Sequence, residues 1–236
     1  AKFFDADNDG DQDLYVVGGG YEYLPNDLLL HNKLYINDGK GNFTQTHTAF
    51  PPDLFSDACV EVLDFDNDGD QDVFVGGFVL PGDYPSANPS RFYVNEGGTF
   101  KKLTNEIWGN LGLIKDAVAS DYNGDGKTDL IVAGEWTGIK LLKNTGAKFE
   151  LDSENIPQKN GLWQSLLVED FDNDGDMDLI AGNLGLNSQF CATDSEPLTL
   201  HLADFDGNGR KDPIISCFIQ GQSYPIYSRD ELLDHI

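Results

Sequence analysis

The chain carries one acidic nonapeptide five times: DADNDGDQD at 5–13, DFDNDGDQD at 64–72, DYNGDGKTD at 121–129, DFDNDGDMD at 170–178 and DFDGNGRKD at 204–212. A segment that returns with its turn residues in fixed places marks a repeat architecture. Each copy cannot bury its apolar face alone and must stack on the next. The five loops hold about half of the 41 acidic residues in a chain that has only 15 Lys and Arg. Carboxylates packed this densely repel one another, so something must neutralise them.

Each loop is flanked by apolar stretches. Before it come CVEVL (59–63), DAVAS (116–120), SLLVE (165–169) and LTLHLA (198–203). After it come LYVVGGG (14–20), VFVGGF (73–78), LIVAG (130–134), LIAGN (179–183) and PIISCF (213–218). Short β-branched runs bounded by turn residues predict strands, and unbroken apolar runs predict strands covered on both faces. Three units add a hairpin: KLYIN and NFTQT around DGKG, RFYVN and TFKKL around EGG, IKLLKN and KFELD around TGA. Four strands per unit predict an all-β fold, a β-propeller of about four to five four-stranded blades, with the acidic loop between first and second strands. A β-sandwich would account for the strands, but not for the same loop at the same point of every unit.

The repeats run around 1–56, 57–114, 115–161, 162–197 and 198–236. Between Asp178 and Leu198 there is room for one strand and little more. The fourth unit is therefore abbreviated, or the topology changes near NLGLNSQFCATDSEP. The chain opens four residues before its first loop and closes on SRDELLDHI, which reads as the first turns of a helix. Both ends are expected to be truncated and the chain to be part of a larger parent.

Aligned, the loops assign a role to each position. Position 1 is Asp5, Asp64, Asp121, Asp170 and Asp204; position 3 is Asp7, Asp66, Asn123, Asp172 and Asp206. Position 5 is Asp9, Asp68, Asp125, Asp174 and Asn208; position 9 is Asp13, Asp72, Asp129, Asp178 and Asp212. Position 6 is always Gly. Calcium takes six to eight oxygens, and alternate residues of a curled loop can supply them. The glycine permits a sharp bend. After it, position 7 is expected to offer its backbone carbonyl, which leaves its side chain free to be Asp11, Asp70, Lys127, Asp176 or Arg210. About five Ca²⁺ sites follow, since magnesium demands a tighter octahedral shell. An EF-hand shares this ligand logic but requires Glu at position 12 and a helix after it. Here position 12 is Val16, Val75, Val132, Ala181 and Ile215, inside predicted strands.

The net charge of −26 argues against nucleic acid or an anionic membrane surface as partner, since both need a positive face. Cys59, Cys191 and Cys217 are too few and scattered for a disulfide framework or zinc site. His31, His47, His201 and His235 stand alone, and no stretch approaches transmembrane length. No catalytic motif is present: there is no G-x-S-x-G, no phosphate-binding glycine loop and no suggestive Cys–His pairing. Modest-affinity calcium sites suit extracellular modules, which places the chain outside the cytoplasm.

The five loops, with the trailing VVGG, VGG, VAG and IAGN, resemble the FG-GAP/VCBS repeat family of calcium-loop propellers, which includes the integrin α-subunit head and a fungal lectin. AGEWTGIKLLKN (133–144) and GLWQSLLVEDFDNDGDMDLIAGNLGLN (161–187) are most similar to the VCBS-repeat surface proteins of Bacteroidota and the cartilage acidic protein group. The literal FG and GAP tripeptides are absent. The resemblance implies an extracellular, cell-surface or periplasmic-side location and a seven-bladed ring as a common form.

In an up-and-down blade the acidic loops share one face. The opposite face then carries segments 20–32 and 79–90 and the links 104–114 and 153–162. Trp108, Tyr21, Tyr23, Tyr84, Trp136 and Trp163 are candidates for that face, where aromatic rings could stack on sugars or anchor a protein. For Trp136 and Trp163 packing between blades is the favoured reading. The expected function is a non-enzymatic calcium-binding module for protein or glycan interaction. The alternative is a calcium-dependent polysaccharide lyase or another carbohydrate-active enzyme.

Overall fold

The computed structural model describes residues 1–156 and 159–235; residues 157 and 158 of the predicted link 153–162, and Ile236 of the predicted terminal helix, lie outside them. Among the described residues the fold is all-β apart from two 3-10 turns, Leu28–Leu30 and Glu106–Asn110, and a helix α1 (Arg229–His235).

Two sheets are four-stranded antiparallel meanders. The first is β1 (Lys2–Phe4), β2 (Asp13–Val16), β3 (Lys33–Asn37) and β4 (Phe43–Thr46). The second is β5 (Asp57–Leu63), β6 (Asp72–Gly77), β7 (Arg91–Asn95) and β8 (Phe100–Lys102). A third meander, β9 (Leu113–Ser120), β10 (Asp129–Thr137), β11 (Lys140–Asn144) and β12 (Phe149–Asp152), is joined edge to edge with β13 (Gly161–Glu169) and β14 (Asp178–Asn183). The junction is short, pairing Glu135 with Leu162 and Thr137 with Gly161 across a register shift. The last sheet is β15 (Thr199–Ala203), β16 (Asp212–Ile219) and β17 (Gln222–Pro225). Residues 184–198 form no strand, so two strands stand where earlier units have four.

Side-chain alternation decides which sheets meet. Successive residues of a strand point to opposite faces. Accordingly Val73 and Val75 of β6 join Phe4, Tyr15 and Leu34 of the first sheet, while Phe74 between them joins Ile114, Leu130 and Leu142 of the third. The third sheet repeats the pattern. Leu130 and Val132 face the second sheet; Ile131 and Ala133 face Trp163, Leu166 and Leu179 of the β13–β14 pair. A strand used on both faces must be apolar on both, which is why Val73, Phe74 and Val75 are all fully buried. Each such Val, Leu or Phe contributes about 1.5–3 kcal/mol. The first strands also meet in series, β1 with β5, β5 with β9 and β9 with β13.

One expectation is corrected here. Trp108 is 4% exposed and lies on no surface. The 3-10 turn after Asn105 swings its indole inward, stacked on Phe92 and edge-on to Phe149, with Nε1 donating to the Leu103 carbonyl at 3.0 Å. The gap between the second and third sheets needs a large apolar filler, and Trp108 supplies it.

Candidate metal centre

Every acidic loop joins the first strand of its sheet or strand pair to the second, as β1–β2, β5–β6, β9–β10, β13–β14 and β15–β16. The local chain path is the same five times. Position 6 glycine is left-handed, at φ 93, 97, 83, 99 and 86° for Gly10, Gly69, Gly126, Gly175 and Gly209. Its N–H donates to Oδ2 of position 1 at 2.8–3.1 Å in each loop. The position-7 N–H donates to the position-5 side chain, from Asp11, Asp70, Lys127, Asp176 and Arg210.

Position 4 is left-handed too, at φ 62, 59, 70, 60 and 76° for Asn8, Asn67, Gly124, Asn173 and Gly207. The sequence carried a signal for it that the ligand alignment did not use: position 4 is Asn or Gly every time, the residues that enter this region most readily.

This path brings positions 1, 3 and 9 together. Carboxylate oxygens of Asp5, Asp7 and Asp13 lie within 4.8 Å of one another, as do those of Asp64, Asp66 and Asp72, of Asp170, Asp172 and Asp178, and of Asp204, Asp206 and Asp212. Each trio could hold a metal ion. The position-5 carboxylates Asp9, Asp68 and Asp174 stand outside the trios. The third loop has an amide at position 3. Asn123 donates to Asp129 Oδ2 at 2.5 Å, and Asp125 pairs with Lys143 at 3.1 Å and lies 4.0 Å from Lys127.

Position 9 is the anchor. Asp13, Asp72 and Asp129 are fully buried. Oδ2 of Asp13, Asp72, Asp178 and Asp212 accepts the position-2 N–H of its own loop. Oδ1 of Asp13, Asp72 and Asp129 accepts the backbone N–H of Asn37, Asn95 and Asn144, each the last residue of a third strand. These asparagines close KLYIN, RFYVN and KLLKN. The recurrence was visible in sequence, but its purpose needed the fold.

A cation fits the electrostatics. Burial, then Asp13 and Asp9, push the Asp7 carboxyl up; burial, then Asp68, do the same to Asp66. Burial pushes Asp72 up to about 7 and Asp129 to about 6. In the third loop the Lys143 ammonium instead holds Asp125 below the usual carboxylate range. Asp5 Oδ1 and Asp64 Oδ1 are buried and accept no hydrogen bond. A buried carboxylate oxygen without a donor is costly, and a cation beside it would remove that cost.

A second feature lies away from the loops. Trp136 and Trp163, both half-buried, line a cleft of about 760 Å³ with Lys159, Asn160, Asn183 and Asn187. The cleft sits at the far ends of β10 and β13 from their acidic loops. Trp163 also packs against Ile131 and Ala133, so it serves both sheet packing and the cleft wall. Trp136 is left-handed at φ 58°, rare for a bulky residue. Its Nε1 donates to the Tyr84 hydroxyl, which donates to Glu135 at 3.3 Å. Tyr21 is exposed and Tyr23 half-buried, both on the segment after β2.

Antiparallel strands repeated with an acidic loop between the first two strands of each unit, four of those loops grouping carboxylates that could hold a metal ion, define a β-repeat protein. The FG-GAP-like repeat model matches residues 5–75 and 121–181, and the chain belongs to that family. The two matched segments span the first four acidic loops. No curated protein matches the chain.

Proposed function

We propose that the chain is a non-enzymatic, calcium-binding β-propeller module that acts outside the cytoplasm, at the cell surface or on the periplasmic side of the outer membrane. It holds a protein or glycan partner on the face away from its acidic loops. The observation that carries the partner reading is the cleft between Trp136 and Trp163. Two indoles beside side-chain amides offer flat apolar surface with polar orientation, which suits a sugar ring or an aromatic anchor. The serial contact of β1, β5, β9 and β13 supports closure of the sheets as blades around an axis. Membership of a repeat family typical of extracellular proteins supports the location.

The cation reading rests on the unpartnered oxygens of Asp5 and Asp64. An all-oxygen donor set selects a hard cation. The four trios would hold calcium, which when bound supplies charge neutralisation. The residues do the rest: position 6 glycine turns the chain, and in the first two trios position 9 ties the loop to the third strand. At 100-fold excess over Kd one ion adds about 2.7 kcal/mol, so several would rival a domain's whole net stability of roughly 5–15 kcal/mol.

A glycan array with parallel lyase and hydrolase assays tests the reading. Binding should be lost in Trp136→Ala and Trp163→Ala at unchanged calcium content, with no polysaccharide cleaved. Binding that survives both substitutions removes the cleft, and cleavage replaces the module with an enzyme.

A further inference from the structure

The acidic loops of neighbouring sheets are physically connected. Asp72, a member of the second trio, accepts the Asn95 N–H at 2.7 Å. The side chain of the same Asn95 leaves its sheet and donates to the Ala6 carbonyl at 3.1 Å, while accepting the Gly98 N–H at 2.8 Å. Ala6 lies between Asp5 and Asp7 of the first trio, and its N–H is held by the third member, Asp13, at 2.9 Å. The next pair of sheets repeats the relay. Asp129 accepts the Asn144 N–H at 2.7 Å, Asn144 Nδ2 donates to the Phe65 carbonyl at 2.7 Å, and the Phe65 N–H is held by Asp72 at 2.7 Å. Phe65 lies between Asp64 and Asp66. Asp72, Asp129, Asn95 and Asn144 are all fully buried, where hydrogen bonds are least weakened by water. The first two loops touch a second way as well: Asn8 donates to Asp70, and the Asp5 N–H to Gln71 Oε1 at 3.1 Å.

We propose that Asn95 and Asn144 are positioning residues that couple the acidic loops of successive sheets, so that the first and second loops bind cations as a linked pair, with Asn144 tying the second loop to the third. The inference rests on the cation reading above. A second loop ordered at Asp72 holds Asn95, and Asn95 holds the peptide between two members of the first trio. Coupling of this kind is reciprocal, so each loop strengthens its neighbour equally. The molecule contains its own control. Asn37 makes the same backbone bond, to Asp13 at 2.8 Å, but its amide donates to Gln12 at 3.1 Å within its own sheet.

The test is calcium titration of the 236-residue chain against a competing chelator, with ions counted by native mass spectrometry. The ion lost in Asp5→Asn identifies the first-loop event. Asp64→Asn, which disables the second loop, should weaken first-loop binding about fivefold or more. In an Asn95→Ala background it should weaken it no further, and in Asn37→Ala the weakening should persist. Asn95→Leu, near in volume, serves if the alanine variant does not fold. Coupling that survives both Asn95 variants, or first-loop affinity indifferent to Asp64→Asn, overturns the relay alone. A chain that binds no calcium at any loop overturns the relay and the cation reading together.

Discussion

The guanidinium of Arg91 is bonded to the carboxylate of Asp57, and neither side chain is exposed. Arg91 opens β7 and Asp57 opens β5. The pair also gathers Asp53 at 3.1 Å, the Pro89 carbonyl at 2.8 Å and, from the first sheet's segment, Asn32 at 2.9 Å. Removing one partner strands the other in the interior. Arg91→Met should therefore cost about 3–5 kcal/mol in urea unfolding. Replacing Asp57 by Leu in the same molecule should recover much of the loss. A double variant no more stable than Arg91→Met would show that the pair is not the source of the cost.

Without calcium, stability should fall as pH rises from about 4 to 7. Asp72 and Asp129 sit at about 7 and about 6 in the folded chain, against 3.8 for the free side chain. In that window the folded state keeps protons that the unfolded state has released, so the stabilisation present below 3.8 is lost as pH passes the folded values. In excess chelator, Tm should be higher at pH 5 than at pH 8. With saturating calcium the order should reverse, because protons then compete for the same carboxylates. An unchanged Tm on adding chelator at pH 7.5 would remove calcium as a structural element.

Gly134→Ala should destabilise by about 1–3 kcal/mol. A Cβ there would lie 2.0 Å from the Leu113 carbonyl oxygen, at the register shift between β9 and β10. Backbone on both sides leaves little to give way. Denaturant midpoints of the variant and parent check this, and equal midpoints would mean that the two strands can part at no cost.

Trp108→Ala should lose about 3–5 kcal/mol of stability. Calcium content and any binding at the Trp136–Trp163 cleft should be unchanged per folded molecule. Loss of ligand binding with stability intact would return Trp108 to a surface role.

Much of the fold was legible because it is local. The apolar runs, their turn residues and the recurring nine-residue loop were all in the sequence, and the strands fall on them. The abbreviation after β14 was legible too, from too few residues between Asp178 and Leu198. The two unused signals, Asn or Gly at position 4 and Asn at the ends of β3, β7 and β11, were present but silent. A recurring residue declares its purpose only when its partner is known, and the partner of Asn95 is 89 positions away.

The sequence by itself determined that this is a repeat of short strands with acidic loops, since strand periodicity, glycine bends and carboxylate spacing act over a few residues. Tertiary structure alone decided which loop oxygens converge, that Trp108 fills the interior while Trp136 and Trp163 line a cleft, and that loops of adjacent sheets share hydrogen bonds. Those outcomes depend on how one sheet's face meets the next, and packing between segments distant in the chain leaves no local pattern to read.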